Sequence, residues 1–456
     1  MDFVNRQEEL AALDRWWERR GPGFAFIWGR RRMGKTALIR RFARGKRAIV
    51  HTGSRRPLAD ELAALSRAAA GLVHSRDLAA NPFHSWPDLF ETLAEAAKGG
   101  PILLVLDEFP ELAAVAPELP SLIRAAWDNL AADSNLRLLL CGSAVRTMQA
   151  MREERAPLYG RVDLSLLVHP FRPHEAAAML PALSPSDRAA VWGIVGGVPM
   201  YLQWWDQDQD LPSNLIRLAG SPGSILLTEG QLVLATEGEA GELSQQVLAA
   251  IARGKTRHNE IAGAVRADPT RTLDRLVELR MIERVAPVTE DPRRTRRRIY
   301  RIADNFMAFW LGVLDRHRPE IELGLGTTNV RVILQELDDH MGPRWEEAFR
   351  SHLRRMAAED KLDPEIVAIG PYWNSAATPV EIDAVVLAGR SRLPVLAGEA
   401  KWSKVMDGRA EAAQLRRKIL QLPGAPPDLK LALCARESVR GDEPLMRITA
   451  KDIFSV

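Results

Sequence analysis

The chain opens with a polar residue, Asn5, followed by Leu10, Leu13 and Trp17 at helical spacing, which predicts a helix within residues 1–20. Apolar Phe24 to Trp28 reads as a short strand, with a glycine-rich loop and a helix, Ala37 to Phe42, behind it. Arg47 to His51, Pro101 to Leu106 and Leu136 to Cys141 are further strand-length runs, and residues 58–72 and 84–98 carry alanine-rich helical periodicity. Short strands alternating with helices predict an α/β fold over residues 1–168, a parallel sheet with helices on both faces. Residues 169–238 read as helical, broken by Pro181, Pro185, Gly196-Gly197 and Pro199. Three short helices and a basic hairpin fill 239–303, and a helical connector with a loop at Gly324 to Thr328 fills 304–340. From 341 the pattern changes. A helix, Trp345 to Met356, precedes strands near Glu365 to Ile369, Glu381 to Leu387 and Pro394 to Ala397; a helix, Arg409 to Leu420, and a strand, Leu429 to Cys434, follow.

Composition narrows the classes. With 46% hydrophobic and 27% charged residues the 456-residue chain is neither disordered nor low-complexity. Two cysteines, Cys141 and Cys434, lie far apart without CxxC or zinc-ligand spacing, so a disulfide framework is not expected. No apolar run approaches the roughly 18 residues of a membrane span, and the first residues lack a signal-peptide core. The expectation is a cytoplasmic protein with no membrane partner.

Gly29 to Thr36 reads GRRRMGKT, a full G-x-x-x-x-G-K-[ST] match between a strand and a helix. Gly29 and Gly34 would let backbone amides turn around phosphate oxygens, Lys35 would reach the β- and γ-phosphates of ATP, and Thr36 would offer a hydroxyl to Mg²⁺. Ile102 to Glu108 reads ILLVLDE, an apolar strand ending in an acidic pair. Asp107 is the expected Mg²⁺ partner, and Glu108 the residue that orients or deprotonates the attacking water. Ser143, after the strand Leu138 to Cys141, is either a γ-phosphate sensor or an ordinary strand-to-loop serine.

On these motifs the chain resembles the archaeal-type ATPases of the AAA+/STAND branch of P-loop proteins. The opening Phe3-Val4-Asn5-Arg6-Gln7-Glu8-Glu9-Leu10 is similar to that family's F-x-x-R-x-x-E-L entry, which implies that Val4 and Asn5 lie against the adenine. Leu158-Tyr159-Gly160-Arg161 and Gly196-Gly197-Val198-Pro199-Met200-Tyr201-Leu202 look like two further signatures. The resemblance implies that Pro199 packs near the base and that Arg161 senses the phosphates; a salt-bridging surface arginine is the plainer alternative for Arg161.

Charge is unevenly spread. The whole chain carries 62 Lys and Arg against 59 Asp and Glu, a net of +3, yet residues 253–301 hold 14 against 7, a local net of +7. His258 to Val265 and Thr270 to Leu279 read as two helices joined by a turn at Ala267 to Pro269. Met281 to Val285 and Arg298 to Ile302 can pair as strands. This is the order of a winged helix, with Thr270, Arg271 and Arg275 facing a DNA groove and Arg293, Arg294, Arg296, Arg297 and Arg298 on the wing. No obvious run of acidic partners accompanies the arginine tip. A packing or lid domain is the alternative.

Near the C-terminus, Asp383 lies on one β-like run, and Glu399-Ala400-Lys401 closes the next, sixteen residues on. Glu-x-Lys on a strand projects both side chains to one face. Asp383 and Glu399 could then hold Mg²⁺ beside Lys401, and Glu346 could point into the same site. The pattern resembles the PD-(D/E)XK nuclease superfamily, which includes Holliday-junction resolvases and Mrr-type restriction endonucleases, although no proline precedes Asp383. The resemblance implies a restriction-endonuclease-like α/β domain over 341–456. A salt-bridged Glu and Lys on an exposed strand is the simpler alternative. Together these features predict an ATP-hydrolysing, DNA-binding protein with a metal-dependent nuclease-like site. The competing expectation is a nucleotide-controlled switch whose C-terminal domain is an inactive interaction platform. Oligomeric state is not readable from the sequence.

Overall fold

The apolar runs of the N-terminal third become strands β1 (Gly23–Trp28), β2 (Ala48–Thr52), β3 (Ile102–Asp107), β4 (Leu136–Gly142) and β5 (Leu164–Leu167). A computed structural model describes residues 3–74, 77–129, 134–151, 153–154, 156–237, 241–362, 365–374 and 379–455. The chain divides into two units, Met1–His169 and Pro170–Val456.

In the first unit the sheet order is β2-β3-β4-β1-β5, with every neighbouring pair parallel. Every residue of β1, β3 and β4 is buried, as expected for a parallel sheet with both faces covered, and this explains why the three read as unbroken apolar runs. The strand β5 escaped sequence reading because it is four residues long, half-buried and interrupted by Ser165. Helices Lys35–Ala43, Leu58–Ala69, Trp86–Ala96 and Leu119–Asn129 accompany the strands. Ser85 starts the third of these by accepting the amide of Asp88, and Pro87 occupies its first turn, where no amide partner is missing. Because the strands are parallel, the loops after β1, β3 and β4 leave the same edge of the sheet, where α/β proteins bind ligands.

The second unit begins with short helices, including Pro185–Val195 and Pro199–Gln203. Helices Glu242–Ala252, His258–Val265 and Thr270–Glu278 lead into an antiparallel pair, β6 (Ile282–Val285) and β7 (Ile299–Ile302). A separate mixed sheet follows: β8 (Ile366–Trp373), β9 (Glu381–Ala388), β10 (Leu393–Lys401), β12 (Lys430–Ala435) and β14 (Met446–Ile448), in the order β14-β12-β10-β9-β8. The first three are antiparallel neighbours; β10, β12 and β14 run parallel. Small strands β11 (Val405–Asp407) and β13 (Ser438–Arg440) pair beside it, and helix Gly408–Ile419 covers one face. Both a parallel central sheet and a separate C-terminal sheet are therefore present, as the α/β reading expected.

The connector departs from its sequence reading. A single helix, Gly326–Ala358, runs through the expected boundary at 340/341 with Pro343 inside it. An interior proline costs a helix roughly 3 kcal/mol. Here Val330, Ile333, Leu337, Met341, Trp345, Ala348 and Phe349 form one buried stripe on both sides of it, and that packing outweighs the break. The loop expected at Gly324 to Thr328 shrinks to a kink, where Gly324 takes φ 90°.

Two glycines make opposite demands. A Cβ on Gly197 would lie 1.9 Å from the carbonyl oxygen of Phe171, whereas one on Gly263, within helix His258–Val265, meets nothing within 4 Å. Gly197→Ala should lower stability by about 2–3 kcal/mol through backbone displacement, and Gly263→Ala should raise it by up to about 1 kcal/mol. Denaturant melts of the two variants check this; like-signed effects would refute the packing argument.

Candidate functional site

The loop after β1 folds back on itself. Gly29 takes φ 146°, and a Cβ there would sit 2.6 Å from the carbonyl oxygen of Val168, so only glycine lets the chain leave the strand this close to the residue following β5. Gly34 takes φ 81° and starts helix Lys35–Ala43. The Lys35 ammonium is buried and donates to the carbonyls of Gly29 and Arg30, both at 2.8 Å, so it points into the loop it closes. Thr36 donates its hydroxyl to Asp107 Oδ2 at 2.8 Å, which brings the two expected Mg²⁺ partners together at the end of β3. The Asp107 carboxylate is 1% exposed, and its other oxygen accepts the Glu108 amide at 3.0 Å. Glu108 turns out of the strand at φ 49°, and its carboxylate accepts the Ser143 hydroxyl at 2.9 Å. The ends of β1, β3 and β4 thus present an ammonium, a hydroxyl and two carboxylates around one glycine loop. This donor set fits a magnesium nucleotide: hard oxygen ligands for the ion, with a lysine and a helix N-terminus for the phosphates.

The other expected nucleotide contacts are spread out. Val4 and Asn5 are half-buried at the entry to helix Gln7–Trp17, and Asn5 takes φ 62°. Beside them stands Arg6, to which sequence reasoning gave no role although it is the arginine of the opening signature. Its guanidinium is buried and donates to Glu9, to the Met33 carbonyl inside the phosphate loop and to the His169 carbonyl beyond β5. Arg6 therefore fixes the back of the loop. Arg161 makes its contacts with Asp128, whose carboxylate it grips with two bonds of 2.7 Å, so the surface salt bridge is the arrangement found. Pro199 belongs to the second unit, at the first turn of helix Pro199–Gln203.

The C-terminal residues converge. Asp383 comes from β9, Glu399 and Lys401 from β10, and Glu346 from helix Gly326–Ala358. The helix reaches them because Gly398 lies under it: a Cβ there would be 2.6 Å from the Phe349 ring. Asp383 and Glu399 are 7% and 2% exposed. Asp383 Oδ2 accepts the Ala400 amide at 2.8 Å. Lys401 lies 3.6 Å from Glu399 Oε2, and Lys418, from the last turn of helix Gly408–Ile419, donates to Glu399 Oε1 at 2.7 Å. Arg350 is buried and spans the cluster, donating to the Asp383 carbonyl at 2.6 Å and to Glu347 at 3.0 Å, with Glu346 at 3.6 Å. Burial, reinforced by the charge of Asp383, pushes the Glu346 carboxyl up to about 7. The same two causes push Glu399 up to about 7 against the opposing pull of Lys418 and Lys401. Burial opposes the charge on Lys401, but Glu399, Asp383, Glu411 and Glu346 together hold its ammonium above the ordinary value. Neither Lys418 nor Arg350 was expected from the sequence. Arg350 follows Glu346 by one helical turn, a spacing that signals an ion pair; Lys418 carried no spacing signal.

The basic segment is more constrained than its sequence suggests. Asp268 accepts both the amide and the hydroxyl of Thr270, so that hydroxyl is engaged by a carboxylate at the start of helix Thr270–Glu278, while Arg271 and Arg275 lie exposed on that helix. The arginine tip does have acidic partners, contrary to expectation: Glu290 pairs with Arg297, and Asp291 with Arg294. Arg298 turns inward to the Arg293 carbonyl; Arg293 and Arg296 are exposed. The tip is also tethered. The amide of Val288 donates to the Pro371 carbonyl on β8 at 2.8 Å, and Arg392 donates to the Val288 carbonyl at 2.9 Å.

A parallel sheet whose strand ends gather these groups defines a P-loop nucleotide-hydrolase domain. Residues 3–204 match the model of an ATPase domain found predominantly in Archaea, and residues 310–413 match a family of archaeal and bacterial proteins of unknown function. An uncharacterized protein of Methanocaldococcus jannaschii is 26% identical over 89% of this chain and 88% of its own. An uncharacterized ATP-binding protein of the same organism is 47% identical over 10% of this chain and 76% of its own. A solved Walker-type ATPase of Pyrococcus abyssi superposes with a TM-score of 0.53 at 21% identity, covering 68% of this chain and 97% of that one, and so shares the fold. The chain carries an archaeal-type P-loop ATPase domain, a class that binds and hydrolyses ATP. No described helix is long and apolar enough to cross a membrane.

Two outcomes follow from the geometry. Lys35→Ala should abolish ATP binding, whereas Glu108→Gln should keep binding and lose about 10²-fold or more in turnover; equilibrium binding beside phosphate release separates the two. Glu346 titrates near 4.5 in an unfolded chain and near 7 in the folded one. Its charge therefore destabilises the fold fully above about pH 7 and not at all once both states are protonated below 4.5. Without added metal, Glu346→Gln should stabilise the protein at pH 8 by about 1–3 kcal/mol, with the gain vanishing toward pH 4.5. Thermal melts at a series of pH values check this, and a destabilised variant at pH 8 would contradict it.

Proposed function

We propose that this chain is an ATP-hydrolysing, DNA-binding protein whose C-terminal carboxylate site cleaves phosphodiester bonds with a divalent cation. The observation that carries the reading is the convergence of Glu346, Asp383, Glu399 and Lys401 from one helix and two neighbouring strands. The donor chemistry suits a hard cation: carboxylate oxygens with no thiolate or imidazole among them. Among the described residues no group of three or more His, Cys, Asp and Glu is arranged to hold a metal, so Asp383 and Glu399 would be the two side-chain ligands. When bound, the cation would supply Lewis-acid stabilisation of the phosphorane and a more acidic water. Lys401, half-exposed on the same face as Glu399, would bind a non-bridging phosphate oxygen. Arg350 would hold Asp383 and Glu346 in place.

DNA would be held by the helix Thr270–Glu278 and the adjoining hairpin. Arg271, Arg275, Arg293 and Arg296 are exposed cations there, and Arg294 and Arg297, exposed as well, would exchange Asp291 and Glu290 for phosphates. The Val288 tether would keep this surface fixed on the C-terminal sheet.

A second reading is favoured by one feature: both Glu399 oxygens already face lysines. In that reading the C-terminal domain is an inactive platform and ATP turnover only resets a switch. Incubating plasmid, linear and branched DNA with Mg²⁺ or Mn²⁺, with and without ATP, decides between them. The nuclease reading expects cleavage by the wild type that Asp383→Ala and Lys401→Ala both abolish. DNA binding with no cleavage under any condition favours the switch.

A further inference from the structure

Lys418 has no role in the expected Asp-Glu-Lys set, yet it makes the shortest contact to the Glu399 carboxylate. Its ammonium donates to Oε1 at 2.7 Å, while Lys401, the lysine of the Glu-x-Lys pair, stands at 3.6 Å from Oε2. The two lysines arrive from different elements, Lys401 along β10 and Lys418 from the end of helix Gly408–Ile419. We infer that Lys418 is a second lysine of this site: it occupies the cation position on Glu399 when no divalent ion is bound, and turns to a phosphate of the nucleic acid strand when one is.

Three observations support this. Glu399 is 2% exposed, so its carboxylate, when charged, needs a cation beside it. Within the cluster Glu346, Asp383 and Glu399 face Arg350, Lys401 and Lys418, and Arg350 is shared with Glu347. A dication on Glu399 adds positive charge beside the lysines, which favours a polyanion and disfavours an ammonium on the same carboxylate. Lys418 also has somewhere to go. Its side chain is 30% exposed on the last helical turn, with a flexible four-carbon stem, whereas Arg350 is 3% exposed and fastened by a bond to the Asp383 backbone.

The inference rests on the carboxylate site taking a divalent cation, and its test separates the two claims. Mn²⁺ binding to the nucleotide-free full chain is measured by titration calorimetry, and binding of a short duplex is measured in Ca²⁺, for the wild type, Lys418→Ala and Asp383→Asn. Freeing Glu399 of its ammonium should tighten Mn²⁺ binding about tenfold, while duplex affinity in Ca²⁺ falls several-fold. A purely structural ion pair would lower stability without tightening Mn²⁺ binding. Lys418→Met keeps the apolar stem, so it replaces the alanine variant if that one melts early. Equal or weaker Mn²⁺ binding by the Lys418 variants overturns the inference. So does tighter Mn²⁺ binding with unchanged duplex affinity, because the lysine then only blocks the ion. Mn²⁺ binding that is absent from the wild type, or that survives Asp383→Asn, overturns the cation-site reading itself.

Discussion

A carboxylate buried on an apolar strand has to be given a partner, and both candidate sites are built around that constraint. Leaving such a charge unpaired costs several kcal/mol, roughly 3–5 when a partner is removed. Asp107 closes β3, whose residues are all buried, and Glu399 lies near the end of β10 at 2% exposure. The fold answers in two ways. Around Asp107 the partners are neutral, the Thr36 hydroxyl and the Glu108 amide, which fix the geometry of the carboxylate without placing a cation on it. Around Glu399 the partners are cations, Lys418 and Lys401, yet burial together with the Asp383 charge still dominates and the carboxyl is pushed up to about 7. The first arrangement is ready for its ligand. The second already carries two ammonium groups on its carboxylate.

Close backbone approach sets the precision of each arrangement. Gly29 lets the phosphate loop leave β1 against Val168, and Arg6 ties Met33 and His169 from behind, so the loop is braced on two sides before any nucleotide binds. Gly398 plays the matching part in the C-terminal sheet. With no side chain there, the Phe349 ring settles onto β10 and brings Glu346 and Arg350 within reach of Asp383. In each case the catalytic candidates come from different elements, and a glycine sets their separation.

The sequence revealed most where one local pattern carried the chemistry. The phosphate loop, the acidic end of β3 and the Glu-x-Lys pair each combine a short motif with a strand, and the structure brings Lys35, Thr36, Asp107, Glu108 and Ser143 to one sheet edge. It revealed least where position depends on packing between distant segments. Pro343 reads as a break, and only the buried stripe from Val330 to Phe349 explains why the helix continues through it. Lys418 reads as one more cation near a helix end, and its meaning depends on where that helix lies over β10. The acidic partners of the hairpin arginines, Glu290 and Asp291, precede them by only a few residues, but a charge count over the segment averages them away.

Glu347 shows how one side chain joins the parts of the second unit. It accepts from Arg301 on β7 at 3.0 Å, from Arg350 at 3.0 Å and from Arg354 at 2.6 Å. Burial works against its charge, but those three guanidinium groups hold its carboxyl down to about 2, so it stays ionised throughout the working pH range. Arg301 continues to Glu283 on the paired strand β6, and Arg350 continues to the Asp383 backbone. The basic hairpin and the carboxylate cluster are therefore anchored to one charged node, the residue next to Glu346. Such a node favours a single geometry, because each arginine displaced from it would leave a buried charge less compensated. A hairpin fixed in this way cannot move without disturbing Arg350, and through it the backbone that carries Asp383. The hairpin strands and the strand that carries Asp383 are thus joined by one continuous chain of ion pairs and hydrogen bonds.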